Sequence, residues 1–167
     1  VDLQTGQSPE LALRSDLAGL AMAIPALGWT KPAASKGQLA LDITLGKPAF
    51  VKRIALDAAG LKAEGSISLA PSGGLNEATF STVRLGTWLN AAASLQGQGV
   101  GLAPVVAVTG GSVDLRGLPK RRTDGGATSG PINLRLDELT VAQGLVLTGF
   151  RSTITPRAGG VEGDFEG

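Results

Sequence analysis

The 167-residue chain predicts an all-β fold, a repetitive antiparallel sheet with little or no helix, on three observations. Large apolar residues alternate with small or polar ones, as in GQLALDITLG, where Leu39, Leu41, Ile43 and Leu45 fall on one face. Glycine or proline bounds each such run, and the 25 glycines are spread between short apolar runs. Turn signals return after roughly eight to twelve residues, the rhythm of a meander, and the helical segments that βαβ units require are missing.

Taken in order, the first element admits two readings. In SPELALRSDLAGLAMAI, Ser8 to Ile24, Ser8-Pro9-Glu10 resembles a helix start, with Leu13, Leu17, Leu20 and Ile24 at helical spacing. Read as strands, Leu11 and Leu13 alternate in one phase and Leu20, Met22 and Ile24 in the other, with a bulge at Gly19. Strands follow through Leu39–Leu45, at Ile54 and Leu56, and at Ile67 and Leu69. GTWLNAAASLQG, Gly86 to Gly97, is again a strand or a short helix, since periodicity does not separate the two. Val105–Val108 and Val113-Leu115 read as the arms of a hairpin turning at Gly110-Gly111. KRRTDGGATSGP, residues 120–131, reads as a flexible loop, its Lys120, Arg121 and Arg122 either solvated or touching anionic headgroups. A last alternating run carries Ile132, Leu134 and Leu136.

One phrase is written twice. GLKAEGSISLAPSGGL, Gly60 to Leu75, returns as GLVLTGFRSTITPRAGGV, Gly144 to Val161. Gly60-Leu61 answers to Gly144-Leu145, Gly65 to Gly149, Pro71 to Pro156 and Gly73-Gly74 to Gly159-Gly160, so single-residue insertions alone separate the copies. Residues 1–167 therefore read as one segment of a repetitive β-sheet domain, an excerpt of a longer chain.

Composition removes several chemistries. With no histidine and no cysteine, Ser-His-Asp and Cys-His nucleophilic sites and zinc sites are excluded, and no cofactor or metal is expected. Asp42, Asp57, Asp114 and Asp137 alternate with leucine or other apolar residues, which puts them on the polar face as solvated residues and gives no sign of a paired-carboxylate cleft. The expectation is a protein that is not an enzyme. A net charge of +1 and 4% aromatic residues give no footprint for nucleic acid. Gly73-Gly74 lacks the Gly-Lys-Ser/Thr of a phosphate loop, and no apolar run is long enough to span a bilayer as a helix. Trp29 and Trp88 read either as plugs at the end of the core or as membrane-interface anchors.

LRSDLAGLAMAIPALGWTKP, Leu13 to Pro32, resembles a phrase of the AsmA-like superfamily of Gram-negative envelope proteins, particularly the YhdP and TamB relatives; Ser15, Asp16, Leu17, Gly19, Leu20, Pro25 and Lys31 carry the likeness. VAVTGGSVDLRGLP, Val106 to Pro119, is similar to the strand, Gly-Gly, strand-with-Asp units of that superfamily. The resemblance implies a long sheet curled into a groove, in a periplasmic protein anchored in the inner membrane through regions outside this segment, which carries phospholipid toward the outer membrane and supports its barrier.

The side chains point the same way. A sheet with one apolar face must cover it, because each large side chain left in water forfeits about 1.5 to 3 kcal/mol. In a groove, acyl chains of a phospholipid would supply the cover. The expected lining is Leu39, Leu41, Ile43, Ile54, Leu56, Ile67, Leu69, Phe80, Leu134 and Leu136, residues whose other role is ordinary core. The competing expectation is a structural or adhesive cell-surface module, a β-sandwich or β-solenoid with a closed core and no ligand. A severed strand edge would also let the segment dimerise through edge pairing.

Overall fold

Alternation is converted into strands almost everywhere it occurs. The structure, a computed structural model, describes residues 8–24, 29–118, 130–157 and 160–166. Its strands are β1 (Glu10–Ser15), β2 (Met22–Ile24), β3 (Trp29–Lys31), β4 (Gly37–Thr44), β5 (Phe50–Ala58), β6 (Leu61–Leu69), β7 (Leu75–Leu85), β8 (Leu89–Gln96), β9 (Val105–Asp114), β10 (Ile132–Ala142), β11 (Leu145–Arg157) and β12 (Gly160–Glu166). Ten of them form one open sheet in the order β1-β4-β5-β6-β7-β8-β9-β10-β11-β12, and β2 with β3 forms a separate two-stranded ribbon. Among the described residues the helical content is one turn of 3-10 helix, Leu115–Gly117. Both ambiguous segments are β: Ser8 to Ile24 gives β1, a turn and β2, and Gly86 to Gly97 gives β8.

The all-β fold is as the sequence predicts, with one departure in pairing. Every neighbouring pair in the large sheet is antiparallel except β9 and β10, which run parallel with Val108 beside Leu134 and Val113 beside Leu139. The expected hairpin at Gly110-Gly111 does not form, because β9 runs through both glycines to Asp114. They bulge with φ of 67° and 72°, and a Cβ on Gly111 would sit 2.0 Å from the Asn90 carbonyl oxygen, so only glycine lets β8 and β9 approach here. A parallel pair needs a crossover in place of a tight turn. The chain supplies one through the 3-10 turn and onward to Pro131, whose carbonyl accepts from the Val106 amide at 2.9 Å. Of the loop expected over 120–131, residues 120–129 lie outside the described residues.

A line of bulges crosses the sheet. Lys52 in β5 is the extra residue between the Asp42–Arg53 and Ile43–Val51 pairs, Ser81 in β7 is extra between Glu64–Thr82 and Gly65–Phe80, and Gly110-Gly111 in β9 oppose Ala91 alone. One surplus residue in every second strand bends that strand and raises its twist, so the sheet curls while staying open at β1 and β12.

The two copies of the repeated phrase occupy equivalent places, β6 and β11, each entered through a turn that ends in a left-handed glycine, Gly60 (φ 79°) and Gly144 (φ 81°). Ala59 is also left-handed at 48°, which makes the β5–β6 connection a tight turn whose twist matches the strands. Inside the strands the copies diverge. Gly65 lies under β7, where a Cβ would come within 2.1 Å of the Thr79 carbonyl oxygen, whereas Gly149 (φ 66°) has nothing within 4 Å of that position.

Candidate functional site

Register puts the ten expected lining residues on one face. Leu39 stands opposite Leu56, Leu41 opposite Ile54, and Ile43 and Ile67 flank Val51. Gly65 separates Ile54 from Phe80, Leu69 pairs with Leu75, and Leu134 stands beside Val108 with Leu136 further along β10. Leu56 and Leu136 are buried, and the other eight are half-buried, which is the state of side chains on a sheet face without a second layer over it. The same face also carries Val51, Ala63, Ala78, Val83, Leu95, Val106 and Ile132, residues the sequence reading left out. Their signal was present but broken: each bulge reverses the phase of alternation, so a strict count of every second residue loses the face halfway along β5, β7 and β9.

One end of this face is closed. Between β1 and β4 the chain leaves the sheet, and this excursion packs Leu17 (1% exposed) and Trp29 (4%) against Leu56, Ala58, Leu61, Leu85, Leu89 and Ala91. Met22 and Ile24 of the ribbon add to the cover, so β2 and β3 act as a lid over one end; they are too small to be the second sheet of a sandwich. Trp29 takes the role of plug, its Nε1 donating to the Ala59 carbonyl at 3.1 Å and so tying the lid to the β5–β6 turn.

The residues that carry the family resemblance build this lid. Leu17 adopts φ 55°, a strained conformation for a branched side chain, and its neighbours hold it there. Its amide donates to Ser15 Oγ at 3.1 Å, the Ala18 amide donates to Asp16 Oδ1 at 3.1 Å, and the Gly37 amide donates to the Asp16 carbonyl at 2.8 Å. Lys31, 1% exposed, points its ammonium into the resulting ring of carbonyls: Leu17 at 2.7 Å, Leu20 at 2.9 Å, Pro32 at 3.3 Å and Ser35 at 2.6 Å. Backbone dipoles thus replace the water around a fully buried charge. The lysine serves the architecture of the lid. Pro25 lies outside the described residues.

Among the described residues the opposite end of the face stays open. Beyond the bulge line no described element covers Ile43, Val51, Ile67 and Leu69, and the loop tips Val100 (74% exposed) and Leu102 (61%) stand at that end, Val100 beside the β6–β7 turn. On the edge strand β1, Leu11 and Leu13 extend the row outward from Ile43 and Leu41.

The other face is polar, and the four aspartates that the sequence singles out have separate partners. Asp42 pairs with Arg14 at 3.1 Å, Asp57 with Lys62 at 2.7 Å and Asp114 with Arg116 at 2.6 Å, while Asp137 Oδ2 accepts from the Gly111 amide at 2.7 Å. Arg116 holds the Asp114 carboxyl below its usual range by hydrogen bonding and charge. Among the described residues no group of three or more acidic side chains is placed to hold a metal ion, and no helix is long and apolar enough to cross a membrane. Compared with known proteins, the chain matches no family model, no curated protein and no solved structure.

Proposed function

We propose that this chain is a non-enzymatic segment of an AsmA-like periplasmic protein, one that shelters the acyl chains of phospholipid against the open part of its apolar face while lipid passes between the inner and outer membranes. The observation that carries the reading is the unequal cover of a single continuous face. Leu41, Ile43, Ile54, Ile67, Leu69 and Phe80 stay half-buried in one layer of sheet, whereas the same rows are sealed at the lid end. Acyl chains need no hydrogen bonds, which suits a lining of leucine, isoleucine and valine. The inner-membrane anchor would lie outside this segment. The outer edge of β1, with Leu11 and Leu13 exposed, is where further strands of the full protein or a second copy would pair.

Lipid extraction and mass spectrometry on the chain purified from a Gram-negative host test the reading. Phospholipid is expected to copurify with the wild-type chain and to be lost from the Ile54→Asp, Ile67→Asp double variant, provided that variant keeps its β-sheet circular dichroism. A delipidated chain that takes up no fluorescent phospholipid, or a double variant that retains as much lipid as the wild type, overturns it. A ligand-free structural module would give the first of these results.

A further inference from the structure

Among the described residues the sheet ends at β1, and no strand pairs with the outer side of that strand. The direction of its free backbone groups follows from the ladder on its inner side. The Leu45 amide donates to the Pro9 carbonyl at 2.7 Å, one step beyond the Glu10–Thr44 pair of the register. Hydrogen-bonded and open pairs alternate in an antiparallel ladder, so Leu11, Leu13 and Ser15 bond to β4 while the N–H and C=O groups of Glu10, Ala12 and Arg14 point outward. Sheet edges are commonly guarded by a bulge, a proline or a charge on the core face. The β1–β4 register is unbroken, the core face of β1 carries leucine, and Pro9 falls on the inward phase, where its missing amide takes nothing from an outer ladder.

The side chains of this edge complement themselves. Leu11 and Leu13, 46% and 42% exposed, lie on the apolar face beside Ile43 and Leu41. Glu10, Ala12 and Arg14 lie exposed on the polar face, where Glu10 pairs with Lys52 and Arg14 pairs with Asp42 at 3.1 Å. Suppose β1 meets a second copy of itself, antiparallel, about a twofold axis through Ala12. Glu10 then stands opposite Arg14 of the second copy, and Leu11 opposite its Leu13. An axis through Glu10 or Arg14 would set that residue against its own charge, and an axis through Leu11 or Leu13 would dissolve the Glu–Arg pairs. At the Ala12 register the charges alternate in sign across the join, from Lys52 and Glu10 of one copy to Arg14 and Asp42 of the other. The other edge strand, β12, has Glu162, Asp164 and Glu166 at alternate positions, so antiparallel self-pairing there sets acidic residues opposite one another.

We propose that the chain forms a twofold dimer in which β1 pairs antiparallel with β1 of a second copy, with Ala12 on the axis and Glu10 of each copy opposite Arg14 of the other. The two sheets become one, and the exposed leucines of β1 join the apolar faces across the axis. Because the paired strands run in opposite directions, the lid end of one copy lies beside the open end of the other. A six-residue edge buries less than the roughly 1,200 Å² of a standard interface, so the dimer is weak and forms as concentration rises. The pairing rests on the β1 edge and its charges, independently of the acyl-chain reading.

Sedimentation velocity of the chain over a concentration series tests the pairing, and the absence of cysteine from the sequence allows a positional probe. The wild type is expected to pass from monomer to a closed dimer. Glu10→Arg and Arg14→Glu should each weaken dimerisation by about tenfold or more, because each sets like charges opposite one another at both ends of the paired strands. An equimolar mixture of the two variants should restore the dimer, since every opposed pair is then of opposite sign. Under mild oxidation Ala12→Cys should cross-link to itself, as hydrogen-bonded partners stand about 5.5 Å apart at Cα, within reach of a disulfide, and Arg14→Cys should not. Circular dichroism equal to the wild type qualifies each variant, and the Ala12→Cys probe stands independently of the charge reversals. A chain that stays monomeric at the highest concentration reached overturns the pairing. So do charge variants that dimerise like the wild type, a mixture that stays monomeric, or cross-linking of Arg14→Cys in preference to Ala12→Cys. Growth beyond the dimer also overturns it, since that would mean β1 meets β12 of the next copy. Phospholipid content is read separately, so a lipid-free dimer supports this pairing even where the acyl-chain proposal fails.

Discussion

Leu61 and Ile67 belong to one strand and one face, yet Leu61 is 2% exposed while Ile67 is only half-buried. Nothing in β6 itself distinguishes them: both are aliphatic, both stand between apolar cross-strand partners, Ala58 and Leu85 for one and Val51 and Ala78 for the other. The difference is imposed from outside the sheet, by the excursion that lays Leu17 and Trp29 over the first and stops short of the second. Burial at the two ends of this face is therefore a property of the lid, and the lid rests on Lys31.

The largest effect is expected there. Lys31→Met removes the ammonium and leaves the carbonyls of Leu17, Leu20, Pro32 and Ser35 facing one another in a buried ring. Losing charge-assisted hydrogen bonds and stranding their acceptors should cost about 3 kcal/mol or more, read from the urea midpoint. If the lid is what separates the two ends, the same variant should make Leu61 and Leu89 as accessible as Ile67, which hydrogen exchange of the β6 and β8 amides would follow. Equal protection in variant and wild type would break the comparison.

Next in size is the contrast between the ends themselves. Leu61→Ala empties a sealed site and should cost about 2 to 4 kcal/mol, whereas Ile67→Ala should cost under about 1.5 kcal/mol in lipid-free protein because water already reaches that side chain. Bound phospholipid should widen the second figure and leave the first alone. Chemical denaturation of both variants, with and without lipid, measures all four values.

A smaller effect should separate the two copies of the repeated phrase. At Gly65 a Cβ would collide with the backbone of β7, so Gly65→Ala should cost about 1 to 3 kcal/mol. At Gly149 there is open space and only a left-handed backbone to strain, about 1 kcal/mol for alanine. Tm shifts in that order would show that the repeat preserves strand and turn while the packing around its central glycine has drifted.

These contrasts mark how far the sequence could be read. Strands, turns and the shared face of Leu39, Leu41, Ile43, Ile54, Leu56, Ile67, Leu69, Phe80, Leu134 and Leu136 were legible because period-two alternation and left-handed glycines are local signals. The direction of β10 was not. Gly110-Gly111 is a good hairpin turn on local grounds, and only the close approach of Asn90 in the neighbouring strand makes it a bulge. The lid was half legible: Ser15, Asp16, Leu17 and Lys31 stood out as a resemblance, but that the lysine is buried in a carbonyl ring depends on a fold that brings Leu17 and Ser35 together around it.

The smallest expected effect concerns the margin of the closed end, where Asp114 caps the 3-10 turn, accepting from the Arg116 amide at 3.0 Å, and Trp88 packs beside Gly117. Arg116 lowers the Asp114 pKa chiefly through the side-chain hydrogen bond, so the folded state holds this proton less tightly than the unfolded chain does. The contribution is then fully present above the ordinary aspartate range and is lost as pH falls through the lowered folded value. Asp114→Asn should remove that acid-side slope from a plot of Tm against pH while changing Tm little at neutral pH, because the pair is solvent-exposed and screened. Should the slope persist in the variant, it does not come from the Asp114–Arg116 pair, and the margin of the closed end carries no acid-sensitive contribution of its own.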